Sequence, residues 1–134
     1  MIKKLDHVGI AVEDLDAALV IYRDALGLNL EDIEIVADQG VRVAKLTVGE
    51  SVLELLEPYG EDSPVAGFLA KRGPGLHHIC FDTDDVDAGL NRLGEQGVQL
   101  IDETGRGGAG GHRVGFVHPR GACGVLVELS EEVQ

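Results

Sequence analysis

The sequence predicts an α+β fold in which one βαβββ unit is used twice, and three observations carry that prediction. The first is a repeated pair of polar residues. A histidine opens an apolar segment at Leu5-Asp6-His7-Val8 and again at Leu76-His77-His78-Ile79. A glutamate is embedded in a later apolar segment at Val52-Leu53-Glu54-Leu55-Leu56 and again at Val125-Leu126-Val127-Glu128-Leu129. His7 and His78 lie 71 positions apart, and Glu54 and Glu128 lie 74 apart. The second observation is the alignment around the histidines, which matches Leu5 with Leu76, Ile10 with Phe81, Asp14 with Asp85, Ala17 with Ala88 and Leu19 with Leu90. The third is that strand-like and helix-like patterning follow in the same order in both halves. A duplicated unit of this kind is expected to give two curved mixed sheets facing each other, with the four polar residues between them.

In the first half, Leu5 to Val12 is rich in Val and Ile and reads as a strand. Asp14 is placed to cap a helix whose apolar residues Leu15, Ala18, Leu19, Tyr22 and Leu26 recur at three- and four-residue spacing. Gly27 ends it. Strands are expected at 31–37, 41–48 and 51–57, turning at Asp38-Gln39-Gly40 and Gly49-Glu50. A connector over about 59–74 separates two modules, about 1–58 and 75–134, that form a single domain. Pro64 suits the first turn of a short connector helix carrying Val65, Phe68 and Leu69. In the second half, 76–83 reads as a strand and Asp84 or Asp85 caps a helix ended by Gly97. Strands at 99–103, 112–118 and 124–129 complete the unit.

Composition narrows the function classes. With 134 residues and 44% hydrophobic residues the chain can bury a sizeable core. No apolar run approaches the ~20 residues that span a bilayer. The start, Met1-Ile2-Lys3-Lys4-Leu5-Asp6, lacks the apolar segment of a signal peptide, so a cytoplasmic protein without membrane attachment is expected. Cys80 and Cys123 are isolated and read as reduced, Cys80 as a small core hydrophobe. A net charge of −13 argues against nucleic acid as a partner. It also means that a polyanionic small substrate would need a local cluster of cations.

The four repeated residues need an explanation because their strands are apolar on both faces. A carboxylate there costs several kcal/mol at least unless a cation offsets it. Imidazole and carboxylate together suit a divalent transition metal. One such pair reads as a structural histidine and a solvent-facing glutamate. Two pairs in register within a duplicated unit read as metal ligands. Strand parity turns His77 away from His78 and out of that set. The run Gly105-Arg106-Gly107-Gly108-Ala109-Gly110-Gly111 formally satisfies G-x-G-x-x-G, but a strand-like segment follows it where a dinucleotide fingerprint needs a helix. It reads instead as a lid or a close approach of backbone to ligand. His112, Arg113, His118 and Arg120 are candidate ligand contacts or plain surface residues.

With the duplicated unit and its four polar residues in place, the chain resembles the vicinal oxygen chelate superfamily. Within it, the chain is similar to the methylmalonyl-CoA epimerases along essentially its whole length. The segments that carry this are Leu5-Asp6-His7-Val8-Gly9-Ile10-Ala11-Val12, Asp62-Ser63-Pro64-Val65-Ala66-Gly67-Phe68-Leu69, Gly75-Leu76-His77-His78-Ile79-Cys80, and Phe116-Val117-His118-Pro119 continuing to Gly124-Val125-Leu126-Val127-Glu128-Leu129. The resemblance implies a divalent metal held by His7, Glu54, His78 and Glu128, with Co2+ the typical ion and Mn2+, Ni2+ or Zn2+ also suited. It implies an isomerase that inverts the carbon between the thioester and the carboxylate of an acyl-CoA, through a metal-stabilised enolate. Inversion needs an acid and a base on opposite faces. The resemblance gives these roles to Glu128 and to a glutamate of an E-x-G segment, where this chain has Asp38-Gln39-Gly40. Asp reaches ~1 Å less far than Glu. Cations available for the coenzyme A phosphates are Lys71, Arg72, Arg106, Arg113 and Arg120, with His112 and His118 as further substrate contacts. The resemblance also suggests a homodimer. Three alternatives stay open: a lactoylglutathione lyase with the same ligand set, a metal-free binding protein of the same fold, and, ranked third, an extradiol dioxygenase, whose chemistry would want the Glu54 position open.

Overall fold

The computed structural model describes residues 1–133. The chain forms two compact units, one of residues His7–His77 and one of Met1–Asp6 together with the chain from His78 onward. The boundaries fall inside the two histidine-bearing strands, β1 (Ile2–Ala11) and β5 (Gly75–Thr83).

In the unit of residues His7–His77, β2 (Asn29–Val36), β3 (Val41–Val48) and β4 (Ser51–Pro58) join β1 in the order β2-β3-β4-β1. The part of β1 from His7 to Ala11 runs parallel to Val52–Leu56 of β4, while β3 is antiparallel to both β2 and β4. The two sheet faces bury different things. On one, fully buried Ala44, Leu46 and Leu55 meet Leu15, Ala18 and Leu19 of helix α1 (Leu15–Leu19). On the other, Ala11, Val41, Val43 and Leu56 meet Val65, Phe68 and Leu69 of α2 (Pro64–Arg72).

Asp14 caps α1 as the sequence suggests, accepting from the amides of Asp16 and Ala17 at 3.0 and 3.2 Å. The helix then departs from the expected pattern, because Val20–Ala25 is a π-helical turn with Leu26 N–H bonded to the Ile21 carbonyl at 2.8 Å. That wider turn shifts the helical phase. Tyr22 stays against the core, while Leu26 swings out to 63% exposure instead of joining it.

The unit from His78 onward repeats the arrangement, with α3 (Val86–Glu95), β6 (Arg106–Gly107), β7 (His112–Val117) and β8 (Leu126–Glu132). The strand order is β5-β8-β7-β6. His78–Asp82 runs parallel to Leu126–Ser130, and β7 is antiparallel to β8 and β6. Val86 and Leu90 of α3 pack on Leu129, with Phe81, Leu93 and Leu100 around them.

Two strands differ from the sequence reading. Residues 99–103 form only an isolated bridge, Leu100 to Val117. The reason is Asp102, whose carboxylate takes the Phe116 amide at 2.9 Å in place of a ladder carbonyl. Pairing with β7 resumes at Arg106. The last strand starts at Leu126, two residues late, because Cys123 and Gly124 adopt positive φ of 59° and 87° in the turn before it.

The helices of both units share a second cap. The amide of Leu15 donates to Glu57 at 2.6 Å, and the amide of Val86 donates to Glu131 at 2.9 Å. Each of these glutamates lies three residues beyond the glutamate of the repeated pair, so strand alternation places it on the helix side of its sheet.

The packing of α3 depends on Gly115 of β7. A Cβ there would lie 2.6 Å from Leu90 Cδ1 and 3.2 Å from Val86 Cγ1, and both side chains are fully buried. Gly115→Ala is expected to destabilise the protein by about 1–3 kcal/mol through overpacking. Urea unfolding of the variant against the parent checks this, and an unchanged midpoint would contradict it.

Candidate metal and acid–base site

The parallel register fixes where each histidine meets its glutamate. Gly9 sits opposite Glu54, and Cys80 sits opposite Glu128. The histidine two residues earlier therefore shares a face with that carboxylate. His7 Nε2 lies 3.6 Å from Glu54 Oε1, and His78 Nε2 lies 3.9 Å from Glu128 Oε1. The residue opposite each glutamate is small and buried, which leaves room for the carboxylate. All four side chains are shielded, with exposures of 14% and 18% in the first pair and 11% and 14% in the second. Each unit thus presents one imidazole nitrogen and one carboxylate oxygen to each other across a pair of parallel strands.

The antiparallel neighbours of the two glutamates differ. Lys45 pairs with Glu54 in β3–β4, and Phe116 pairs with Glu128 in β7–β8. Lys45 Nζ bonds Glu34 at 2.8 Å. That hydrogen bond first, and the nearby charges of Glu34, Glu54 and Asp32 after it, hold the ammonium above its ordinary pKa.

Asp38 lies exposed in a three-residue 3₁₀ turn, Ala37–Gln39, between β2 and β3. Gly40 closes the turn with φ of 64°. Its carbonyl accepts from Ser63 Oγ at 2.5 Å and from the Tyr59 amide at 2.8 Å.

The candidate cations have diverse surroundings. Lys71 and Arg72 occupy the last turn of α2, favourable for positive charge at a helix C-terminus, and Arg72 lies over the Phe68 ring at 5.7 Å. His77 meets Phe68 edge-on at 4.9 Å, and burial pushes its imidazole below the usual range. Arg106 stacks over Phe116 at 5.2 Å and reaches Asp102 at 3.3 Å. Arg113 is committed to a two-pronged pair with Asp87 at 2.9 and 3.1 Å. The same Asp87 accepts the Gly105 amide at 2.8 Å, which ties the start of the glycine-rich run to α3. His112 opens β7 half-buried, and its carbonyl accepts from Gly108 at 2.7 Å. His118 caps the turn Pro119–Gly121, its Nδ1 accepting from the Arg120 amide at 3.0 Å, and Arg120 is exposed.

Sequence reasoning passed over Glu57, Glu131 and Ser63. The two glutamates were visible in principle, because they repeat at the same spacing as Glu54 and Glu128. Ser63 left no such signal, since its partner is a backbone carbonyl 23 residues away.

Residues 6–116 match the model of the Glyoxalase/Bleomycin resistance protein/Dioxygenase superfamily. The chain is 43% identical to the ethylmalonyl-CoA/methylmalonyl-CoA epimerase of Cereibacter sphaeroides, over 98% of this chain and 99% of that one. It is 40% identical to the human mitochondrial methylmalonyl-CoA epimerase, over 96% of this chain and 73% of that one. Among solved structures, the methylmalonyl-CoA epimerase from Mycobacterium tuberculosis superposes with a TM-score of 0.85. It is 46% identical, over 99% of this chain and 90% of that one. The chain belongs to the glyoxalase, or vicinal oxygen chelate, superfamily and within it to the methylmalonyl-CoA epimerase family. Among the described residues, no helix is long and apolar enough to cross a membrane.

The Asp87–Arg113 pair carries a pH signature. Its hydrogen bonds hold the Asp87 carboxyl below the ordinary value of 3.8. A depressed carboxylate stabilises the fold above its unfolded pKa and loses that contribution as pH falls through the folded value. Thermal melting at neutral pH and below about pH 4 is expected to show a shallower acid-side fall in Asp87→Asn than in the parent. Parallel curves for the two proteins would contradict it.

Proposed function

We propose that the chain is a metal-dependent methylmalonyl-CoA epimerase, interconverting the (2R) and (2S) forms by removing and returning the C2 proton. The observation that carries this reading is the pair of shielded imidazole–carboxylate contacts at equivalent places in two like units. The family relationship names the substrate class.

The donor set fits a divalent metal. At 3.6 and 3.9 Å each nitrogen and oxygen stand beyond the 2.7–3.2 Å of a good hydrogen bond. Two ligands each ~2.1 Å from one ion are about 3–3.5 Å apart, close to what each pair presents. In this reading His7, Glu54, His78 and Glu128 hold the ion together. Co2+ is our first choice, and Mn2+, Ni2+ or Zn2+ are accepted by the same ligand types. When bound, the ion supplies positive charge that offsets the charge developing on the enolate.

The protein's residues do the rest. Glu128 exchanges the C2 proton on one face of the substrate carbon, and Asp38 does so on the other. Glu54, with Lys45 as its antiparallel neighbour, serves as ligand only. Lys71 and Arg72 at the end of α2, with Arg106, His112, Arg113 and His118, are the groups we assign to the coenzyme A portion. Arg113 would have to share its guanidinium with Asp87 to contribute. The reading places the enzyme in the cytoplasm as a homodimer.

The test is solvent exchange. Protein supplied with Co2+ is expected to exchange the C2 proton of methylmalonyl-CoA with deuterated solvent. A chelator should abolish the exchange. Glu128→Ala and His7→Ala are each expected to lose at least ~10²-fold in rate. Turnover of a glutathione hemithioacetal with no exchange into methylmalonyl-CoA would overturn the assignment in favour of a lactoylglutathione lyase. Retained ligand binding in both variants with no exchange in the parent would favour a binding protein instead.

A further inference from the structure

We propose that Glu34 is a positioning residue for the metal site, holding the Lys45 ammonium away from Glu54 so that this carboxylate stays open to the ion. The proposal rests on the reading of Glu54 as a metal ligand.

Lys45 is flanked by a carboxylate on each neighbouring strand. Its Cα partner on β4 is Glu54, and its Cα partner on β2 is Asp32. Directly opposed residues of antiparallel strands share a face, so the Lys45 and Glu54 side chains rise side by side. Opposite charges at that spacing attract, and the plain expectation is a cross-strand ion pair. The structure shows a different choice. Lys45 Nζ sits 2.8 Å from Glu34 Oε1, while Glu54 Oε1 faces His7 Nε2 at 3.6 Å.

Register alone does not dictate that choice. The Cα partner of Glu34 on β3 is Val43, so Glu34 reaches Lys45 on the diagonal. Solvent explains why the diagonal wins. The Lys45 and Glu34 side chains are 35% and 44% exposed, against 18% for Glu54. Turning inward to Glu54 would strip more water from the ammonium, and desolvating a charge is costly even beside a partner. Glu34 thus gives Lys45 a bond that leaves it partly hydrated.

The consequence falls on the ion. A carboxylate already paired with an ammonium binds a metal only after that ammonium is displaced, and the lysine would repel the incoming charge at short range. With Lys45 drawn toward β2, Glu54 is left facing His7. The unit from His78 onward treats its own cation alike. Phe116 stands opposite Glu128, and Arg106, stacked over the Phe116 ring, is bonded to Asp102 at 3.3 Å. Again an acid outside the ligand set takes up the local cation.

The experiment measures Co2+ affinity, by competition with a chelating dye, in the parent, Glu34→Gln, Lys45→Met, the double variant and Glu54→Ala. Glu54→Ala is expected to weaken binding at least 10-fold, as loss of a ligand should. Glu34→Gln is expected to weaken it about fivefold, the size of a cross-strand ion pair. Lys45→Met, which removes the competitor, should bind at least as tightly as the parent. The double variant should match Lys45→Met within twofold, because without the lysine Glu34 has nothing to hold. That non-additivity separates diversion of Lys45 from simple attraction by the Glu34 charge, which would act by the same factor in both backgrounds. If Glu34→Gln weakens binding equally with and without Lys45, or by less than twofold, the proposal fails. If Glu54→Ala leaves Co2+ affinity unchanged, the ligand reading of Glu54 fails and takes the Glu34 role with it. The readout is affinity alone, so it stands apart from the substrate assignment.

Discussion

The structure depends on one constraint, the parallel pairing of the first and last strands of each unit. Parallel neighbours cannot be joined by a tight hairpin, so the chain must leave the sheet and return. In both units it leaves through a helix and comes back through antiparallel strands. Those intervening elements supply the hydrophobic faces, and the parallel pair supplies the register. Gly9 opposite Glu54 and Cys80 opposite Glu128 follow from that register, and the two His–Glu contacts follow from them in turn.

Shielding four ionisable side chains is not a route to stability. Desolvating an imidazole and a carboxylate costs several kcal/mol, and a pair of them in an apolar sheet is often no better than two hydrophobes of similar volume. Hydrophobic burial elsewhere offsets this cost, through Leu15, Leu46 and Leu55 in one unit and Val86 and Leu90 in the other, all fully buried. The duplication is also imperfect at one telling place. Lys45 stands beside one glutamate and Phe116 beside the other, so two carboxylates of common origin sit in different electrostatic surroundings. That difference matches the separate duties proposed for them.

The parts of the fold that could be read in the sequence are those set by periodic side-chain patterning. Strand alternation around His7 and His78, the Asp14 and Asp85 caps and the Pro64 start of α2 all appear where the pattern puts them. The repeated His–Glu pair was legible because two copies vouch for each other. What escaped had no periodic signature. The π-helical turn at Val20–Ala25 keeps helical composition while changing phase. The expected strand at 99–103 has a suitable sequence, but Asp102 spends its carboxylate on the Phe116 amide and ends the ladder. Arg113 looks like a free cation in sequence, and only the fold brings Asp87 to it. Ser63 carries no signal of a role in the sequence, and only the tertiary structure shows its hydroxyl donating to the Gly40 carbonyl.

Each closing strand carries a pair of glutamates three residues apart, Glu54 and Glu57 in β4 and Glu128 and Glu131 in β8, one facing the histidine and one holding the helix amide. Because the interval is odd, the two always emerge on opposite faces. A single inserted or deleted residue between them would put both on one face, and either the helix would lose its cap or the histidine its partner. Length changes in descendants of this sequence are therefore confined by geometry. They can accumulate at the β6–β7 tip or in the stretch before α2, but β4 and β8 can change only by substitution.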